Sequence, residues 1–344
     1  MSVALDSLGM LDAHASLPEQ VAAAAEAARG LDHLPRHEEI ENVLVLGMGG
    51  SGVAGDVLVS AAGPFLPVPV VVTKGYVPPN FVSETTLVFA ISASGNTEET
   101  IEALSEAAVQ GGRVVIVTQG GELAHLAESW GAPMVRVPSG IVMPRAALGA
   151  VAIPPLVILE EVGLFPGASQ WIDLAVEQLS SRRDRLVKPG SLAEEIAHRL
   201  ARTIPLVYGD TGIGGTAAMR WKTQVNENAK SPAFWAQHPE LCHNEICGWG
   251  QHGDLTRQAI SLVNLRHDFE HPQVSRRFEL VSELLQEVVA SVTDVVAEGE
   301  GQLAQLLDLV LIGDLVSVHL ALMEGIDPGP IPVLEDLKAA LAKG

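Results

Sequence analysis

The sequence predicts an α/β protein made of two doubly wound units with parallel sheets, the second followed by C-terminal helices. Three stretches predict it. Val43-Leu44-Val45-Leu46 runs into Gly47-Met48-Gly49-Gly50-Ser51-Gly52, and Leu87-Val88-Phe89-Ala90-Ile91 runs into Ser92-Ala93-Ser94-Gly95-Asn96-Thr97. Further on, Ile204-Pro205-Leu206-Val207-Tyr208 runs into Gly209-Asp210-Thr211-Gly212-Ile213-Gly214-Gly215. Each stretch has an apolar strand, then a loop of small residues, then a helical pattern. Repeated, that order places parallel strands beneath helices on both faces.

Taken in order, residues 14–29 are rich in Ala and Glu and read as an amphipathic opening helix. Strands are expected at 43–47, 68–73, 87–92, 113–118 and 134–137, with helices over segments such as 98–110 and 122–130. Asn96, followed three residues later by Glu99, has the form of a capping box. Glu98 and Glu99 suit the positive end of that helix dipole and are expected to point outward. Residues 146–187 read as helical and lead through Lys188-Pro189-Gly190-Ser191, a plausible boundary. The pattern then restarts with strand 204–208, helix 216–229 and strand 259–265, and the end reads as helical from Leu280 onward. The halves therefore read as a divergent repeat: a first unit with its opening helix at 1–155, a helical linker at 156–190, and a second unit with C-terminal helices at 191–344. Such sheets bind ligands outside the carboxyl ends of their strands, which would place a cleft between the halves.

With 344 residues, the chain is long enough for two domains of ordinary size. Apolar residues make up 47% and charged residues 18%, the composition of a folded globular protein. A net charge of −21 argues against nucleic acid or an anionic membrane as partner, and requires an anionic substrate to find a local set of donors. Two cysteines, Cys242 and Cys247, are too few for a disulfide scaffold and point to a reducing compartment. No signal peptide is read at the N-terminus, and acidic residues or prolines break the apolar stretches around 150–165 and 305–323, so a cytoplasmic location is expected.

The first two loops suit an anion held by neutral donors: backbone N–H groups at a helix start, glycines that allow close approach, and Ser and Thr hydroxyls. Neither loop contains Lys or Arg. Glycines at 47, 49 and 52 also match a dinucleotide fingerprint, which calls for an acidic residue about 20 positions further on to bind a ribose. The next strand ends in Thr73-Lys74-Gly75, with no carboxylate, which argues against a nicotinamide cofactor.

Chemistry is suggested by the second half. Glu227 stands between two amides in Asn226-Glu227-Asn228-Ala229-Lys230 and could act as a general base; the plainer reading pairs it with Lys230 at a helix end. His243, in the polar stretch Pro239-Glu240-Leu241-Cys242-His243-Asn244-Glu245, could move protons near neutral pH or could be structural. His238, Cys242, His243, Cys247 and His252 lack the spacing of a structural zinc site, so no metal is expected. Arg145 follows the last strand of the first unit and could clamp a phosphate or stabilise an oxyanion. Lys338, on spacing alone, reads as solvated.

Together these segments, with Pro144-Arg145-Ala146-Ala147-Leu148-Gly149, Lys222 to Lys230, Pro239-Glu240, His243-Asn244-Glu245 and Gly313-Asp314-Leu315-Val316-Ser317, resemble the bifunctional phosphoglucose/phosphomannose isomerases, built from two sugar-isomerase (SIS) domains. The resemblance runs from about residue 40 onward and implies two SIS-type, flavodoxin-like domains. It also implies an enzyme that interconverts glucose 6-phosphate, mannose 6-phosphate, or both with fructose 6-phosphate through a cis-enediol. In that family's terms, Gly50, Ser51, Ser92, Ser94 and Thr97 would grip the 6-phosphate. Glu227 would move the proton between C1 and C2, and Arg145 would stabilise the enediolate. His243 would open the ring, reaching across from the other subunit of a homodimer with shared active sites, and Lys338 would assist near the ring oxygen. No cofactor is implied. The family usually carries a hydroxyl residue, typically threonine, in an Asp-Pro-Thr stretch tied to mannose tolerance, whereas this chain reads Asp327-Pro328-Gly329-Pro330.

Two other readings share the same fold: an isomerase of another phosphosugar, and a non-catalytic phosphosugar sensor. A sensor would lack the base and ring-opening residues or would carry a DNA-binding segment. Glu227, His243 and Arg145 are present and no basic helix-turn-helix is evident, which favours an enzyme.

Overall fold

The computed structural model describes residues 5–138 and 140–341. Strands β1 (Asn42–Leu46), β2 (Val70–Thr73), β3 (Thr86–Ser92), β4 (Arg113–Thr118) and β5 (Met134–Arg136) form one parallel sheet in the order β2-β1-β3-β4-β5. A second parallel sheet has the order β7-β6-β8-β9, from β6 (Ile204–Asp210), β7 (Phe234–His238), β8 (Ile260–Arg266) and β9 (Ser291–Val296). Both sheets therefore grow outward in two directions from their first strand. In register, Leu46 of β1 lies opposite Thr73 and Ala90, and Tyr208 of β6 lies opposite Ala236 and Asn264.

The helices of the first half are α1 (Met10–Ala15), α2 (Leu17–Ala27), α3 (Gly49–Val57), α4 (Glu98–Val109), α5 (Gly121–Trp130), α6 (Leu148–Ala152), α7 (Pro154–Glu161) and α8 (Ala168–Leu186). Those of the second are α9 (Leu192–Leu200), α10 (Ile213–Asn228), α11 (Gly253–Ala259), α12 (Pro272–Leu285), α13 (Gln302–Met323) and α14 (Pro332–Leu341). Strand β3 is buried along its whole length, which is why its sequence is a continuous apolar run rather than an alternating one.

Several expectations need correction. The opening helix is two helices that meet at Ser16, and the long helical stretch after residue 146 is three, broken before Pro154 and again at Gly167. Strand β7, with exposed Phe234 and Trp235 at its start, was not foreseen because Gln237 and His238 merge it with the polar loop that follows. Nor was β9, which divides the region expected to be helical from Leu280. It is an edge strand with Asp294 and Val296 turned outward, so its apolar signal is halved. The Asn96–Glu99 capping box does not form. Thr97 is the N-cap of α4, and Asn96 instead accepts from the Glu122 N–H (3.0 Å) and donates to the Ser94 carbonyl (3.2 Å), tying the loop to the start of α5. Glu98 is exposed, as expected, while Glu99 is half-buried.

Helix α13 is apolar all round, and it is long enough to cross a membrane, but most of it is buried against α8, α9 and α10. Its two aspartates are paired inside the protein. Asp308 lies 3.2 Å from Arg182 Nε and accepts from Gln178 (3.0 Å), and Asp314 meets Arg220. At Gly313 a Cβ would stand 2.1 Å from Trp221 Nε1, so only glycine lets α10 approach this closely. Trp221 Nε1 uses that approach to donate to the Leu309 carbonyl (2.8 Å).

Candidate active site

The two hydroxyl-rich loops lie at the carboxyl ends of β1 and β3, neighbouring strands from which the chain crosses to opposite sides of the sheet. Ser92 is buried at the tip of β3, with its Oγ 2.8 Å from Thr97 Oγ1 and 3.5 Å from Ser94 Oγ. The Gly95 N–H donates to Ser92 Oγ (3.1 Å), and the Ala93 N–H reaches Ser51 Oγ on the first loop (3.4 Å). The structure thus brings Ser51, Ser92, Ser94 and Thr97 together around the start of α3. Gly95 has φ +72°, and a Cβ there would lie 1.7 Å from the Gly120 carbonyl oxygen, so the loop's shape depends on glycine at this point. Lys74, at the place where a ribose carboxylate would stand, pairs with Asp56.

Gly50 faces the next component. A Cβ on Gly50 would stand 3.7 Å from the Arg145 Cα and 3.8 Å from Arg220 Nη1. Arg145 sits in a short 3-10 turn, Pro144–Ala146, and is buried. Its Nε donates to Asn228 Oδ1 (2.7 Å), and its Nη2 donates to the carbonyls of Pro328 and Gly329 (both 2.6 Å). Nη1 is buried and has no partner among the described residues. Burial pulls the Arg145 guanidinium below its ordinary value, opposed by the charge of Glu227 and reinforced by Arg220. A guanidinium fixed on two sides, with one desolvated donor to spare, is suited to a developing negative charge.

Glu227 is half-buried in the last turn of α10, one residue before Asn228. Its expected pairing with Lys230 takes a different form: Lys230 Nζ donates to the Glu227 backbone carbonyl (2.7 Å) and to the Pro328 carbonyl (3.1 Å), leaving the carboxylate out of the bond. No described residue hydrogen-bonds the Glu227 carboxylate. Lys230 itself is lowered, first by burial and then by the charge of Arg145. The stretch Asp327–Gly329 is therefore bound to both cations through its carbonyls, and Gly329 N–H donates to Asp327 Oδ1 (2.9 Å).

His243 and Lys338 are not drawn into this cluster. Helix α10 starts beyond the carboxyl end of β6, runs back for 16 residues, about 24 Å, and leaves Glu227 near the amino end of the second sheet. The 3-10 turn that carries His243 follows the carboxyl end of the parallel strand β7. Within one chain, Glu227 and His243 thus lie at opposite ends of the sheet. His243 is exposed and lines a cavity of about 460 Å³ with Asp210, Phe269, His271 and Arg277. Lys338 is exposed on α14, a helix with no buried residue, and makes no hydrogen bond among the described residues.

The glycine loop of the second unit differs from those of the first. Asp210 Oδ1 accepts from the Gly214 N–H (3.0 Å) and lies 2.8 Å from His267 Nε2, so the chain's own carboxylate fills the start of α10. Next to it, at the end of β7, His238 is fully buried. Burial, with Arg266 and Arg277 nearby, pushes its pKa down to about 4 from 6.5. A depressed imidazole pKa favours the fold above the unfolded value, and that contribution is lost as pH falls from 6.5 toward 4. We expect a loss of about 3 kcal/mol across this window, read as a falling urea midpoint, and a largely flattened dependence in His238→Gln.

Two parallel-sheet units, with a cluster of hydroxyls at the strand ends of the first and a carboxylate near a buried arginine, are the build of a two-SIS-domain phosphosugar-isomerase type of protein. Family models agree: residues 38–129 match the SIS domain and residues 190–341 match the bacterial phospho-glucose isomerase C-terminal SIS domain. Among curated relatives, the bifunctional phosphoglucose/phosphomannose isomerase of Caldicellulosiruptor bescii is 35% identical over 97% of this chain and 99% of its own length. The protein of that name from Aquifex aeolicus is 34% identical over 88% of this chain and 91% of its own. The chain belongs to the bifunctional phosphoglucose/phosphomannose isomerase family, and it is an isomerase. Its fold is shared with the C-terminal domain of glucosamine-fructose-6-phosphate aminotransferase from Francisella tularensis, at a TM-score of 0.73 and 17% identity, covering 94% of this chain and 98% of that one.

Proposed function

We propose that this protein interconverts glucose 6-phosphate, mannose 6-phosphate, or both with fructose 6-phosphate by proton transfer within one bound sugar. The observation that carries this reading is buried Arg145, whose Nη1 has no partner among the described residues, beside a carboxylate, Glu227, that none of them hydrogen-bonds. Gly50, Ser51, Ser92, Ser94 and Thr97 hold the 6-phosphate through neutral donors. Glu227 removes the proton from C1 or C2 and returns it to the other, and Arg145 stabilises the enediolate between the two steps. Lys338 assists near the ring oxygen.

Ring opening needs a proton donor, and the one assigned to it, His243, does not lie near Glu227 within one chain. Because His243 lies at the far end of the second sheet from Glu227, a second copy of the chain is its natural source, and the working enzyme is a homodimer with shared sites. Mixing tests this. Glu227→Gln and His243→Ala are each expected to be nearly inactive, and randomly exchanged dimers of the two to recover about a quarter of wild-type activity. No recovery would place both residues in the same subunit's site. Substrate choice is read by following fructose 6-phosphate from each hexose 6-phosphate separately, and turnover of neither would sink the proposal.

A further inference from the structure

The aim of Arg145 is set by groups far from the substrate cradle. Its Nε donates to Asn228 Oδ1 (2.7 Å), and the other end of that amide, Nδ2, lies 3.2 Å from His14 Nε2. The second ring nitrogen of His14, Nδ1, lies 3.0 Å from Asp314 Oδ2. Asp314 takes two bonds from Arg220, from Nε (2.9 Å) and Nη2 (2.8 Å), and the same Nη2 donates to the Arg145 carbonyl (2.5 Å). The contacts therefore close into a ring: Arg145 side chain, Asn228, His14, Asp314, Arg220 and back to the Arg145 backbone. All five residues are buried.

We propose that His14 is a positioning residue for the isomerase reaction, one that fixes the Asn228 amide so that Arg145 presents its free Nη1 to the substrate. The proton inventory carries the argument. A nitrogen facing a carboxylate bears the hydrogen; His14 Nδ1, 3.0 Å from Asp314 Oδ2 but not aligned for a hydrogen bond, therefore carries it, and Nε2 is left as an acceptor. Ser317 Oγ spends its hydrogen on the Asp314 carbonyl (2.6 Å), and so it too accepts from Asn228 Nδ2 (2.9 Å). Gln224 Oε1 is a third acceptor at that end (3.2 Å), so the amide nitrogen points to His14, Gln224 and Ser317, and its oxygen points to Arg145. A reversed amide would set an N–H against Arg145 Nε and release the guanidinium. Gln20 Nε2 adds a tie from α2, donating to the Ala146 carbonyl (2.8 Å), so α1 and α2 together brace the arginine turn.

This inference rests on the role proposed above for Arg145, and the test separates the two. Asparagine at position 14 can still donate toward Asp314 from near the Nδ1 place, but it is too short to accept from Asn228. Glutamine reaches Asn228 with its amide. We expect His14→Asn to fold, with kcat lower by about tenfold and KM for fructose 6-phosphate within about twofold, because the phosphate loops are untouched; His14→Gln should keep kcat within about threefold. Wild-type kcat in His14→Asn overturns the proposal. So does an equal loss in both variants, which would mark His14 as packing only. Should His14→Asn not fold, Ser317→Ala combined with Gln224→Leu withdraws the other two acceptors and leaves His14 to hold the amide; kcat within about threefold of wild type is expected, and a fall in kcat of about tenfold with KM unchanged overturns the proposal. Arg145→Lys is measured alongside. Full activity there removes the underlying reading; a large loss there with a normal His14→Asn removes only this inference.

Discussion

Glu227→Gln is expected to lower kcat by about 10³-fold or more while leaving KM for the sugar phosphate nearly unchanged. The amide keeps the shape and the hydrogen-bonding reach of the side chain, but it cannot accept a proton at the carbon. The native carboxylate is half-buried in the last turn of α10, and no described residue bonds it. Lys230, the cation nearest in sequence, is engaged by the backbone carbonyls of Glu227 and Pro328 instead. Since the proposed phosphate grip lies on the loops after β1 and β3 of the first sheet, binding should survive the change. Solvent hydrogen exchange into the sugar, followed at C2, should disappear together with turnover. A variant that keeps full kcat would remove Glu227 as the base.

The second large effect is on stability. Arg220→Leu is expected to cost about 3–5 kcal/mol in urea unfolding, because it strands a buried carboxylate. Burial alone would raise the Asp314 pKa, yet the charge of Arg220, with the hydrogen that His14 turns toward the carboxylate, holds it below the ordinary carboxylate value. Removing Arg220 leaves the carboxylate with the His14 ring as its remaining polar neighbour. Changing both partners, Arg220→Leu with Asp314→Leu, should recover much of the lost stability, since a pair of apolar side chains has no charge to desolvate. Activity should stay low in the double variant, because the Arg145 carbonyl has lost its donor. Stability and turnover would then part company, which is the result that distinguishes a buried pair serving a site from one serving the fold alone.

The fold was legible because its signals are local. Val43–Gly52 and Leu87–Thr97 each carry a strand, a turn and a helix start within a dozen residues, and the same grammar recurs at Ile204. Strands β7 and β9 escaped because each lies at a sheet edge, where half the side chains meet water and the apolar run is broken. At the candidate site, the residues themselves stood out in the sequence, but their partners did not. Nothing near Arg145 announces Asn228, and nothing near His14 announces Asp314. The one available signal was charge in the wrong place: Asp308 and Asp314 interrupt an otherwise apolar helix, and such residues need a buried cation from elsewhere. The position of His243 relative to Glu227 was equally hidden, because it depends on the direction α10 takes between two parallel strands.

The ring around Arg145 also bears on how the protein comes to be active. Its bonds span 83 residues from Arg145 to Asn228, 214 from His14 to Asn228 and 94 from Arg220 to Asp314. Contacts of that separation close late, since each must bring distant parts of the chain together before it returns any stabilisation. Both sheets can therefore assemble before the arginine is aimed. Catalytic competence becomes a report on the finished chain: a refolding experiment should recover strand and helix signals first and isomerase turnover last, when the α1 helix docks against α13.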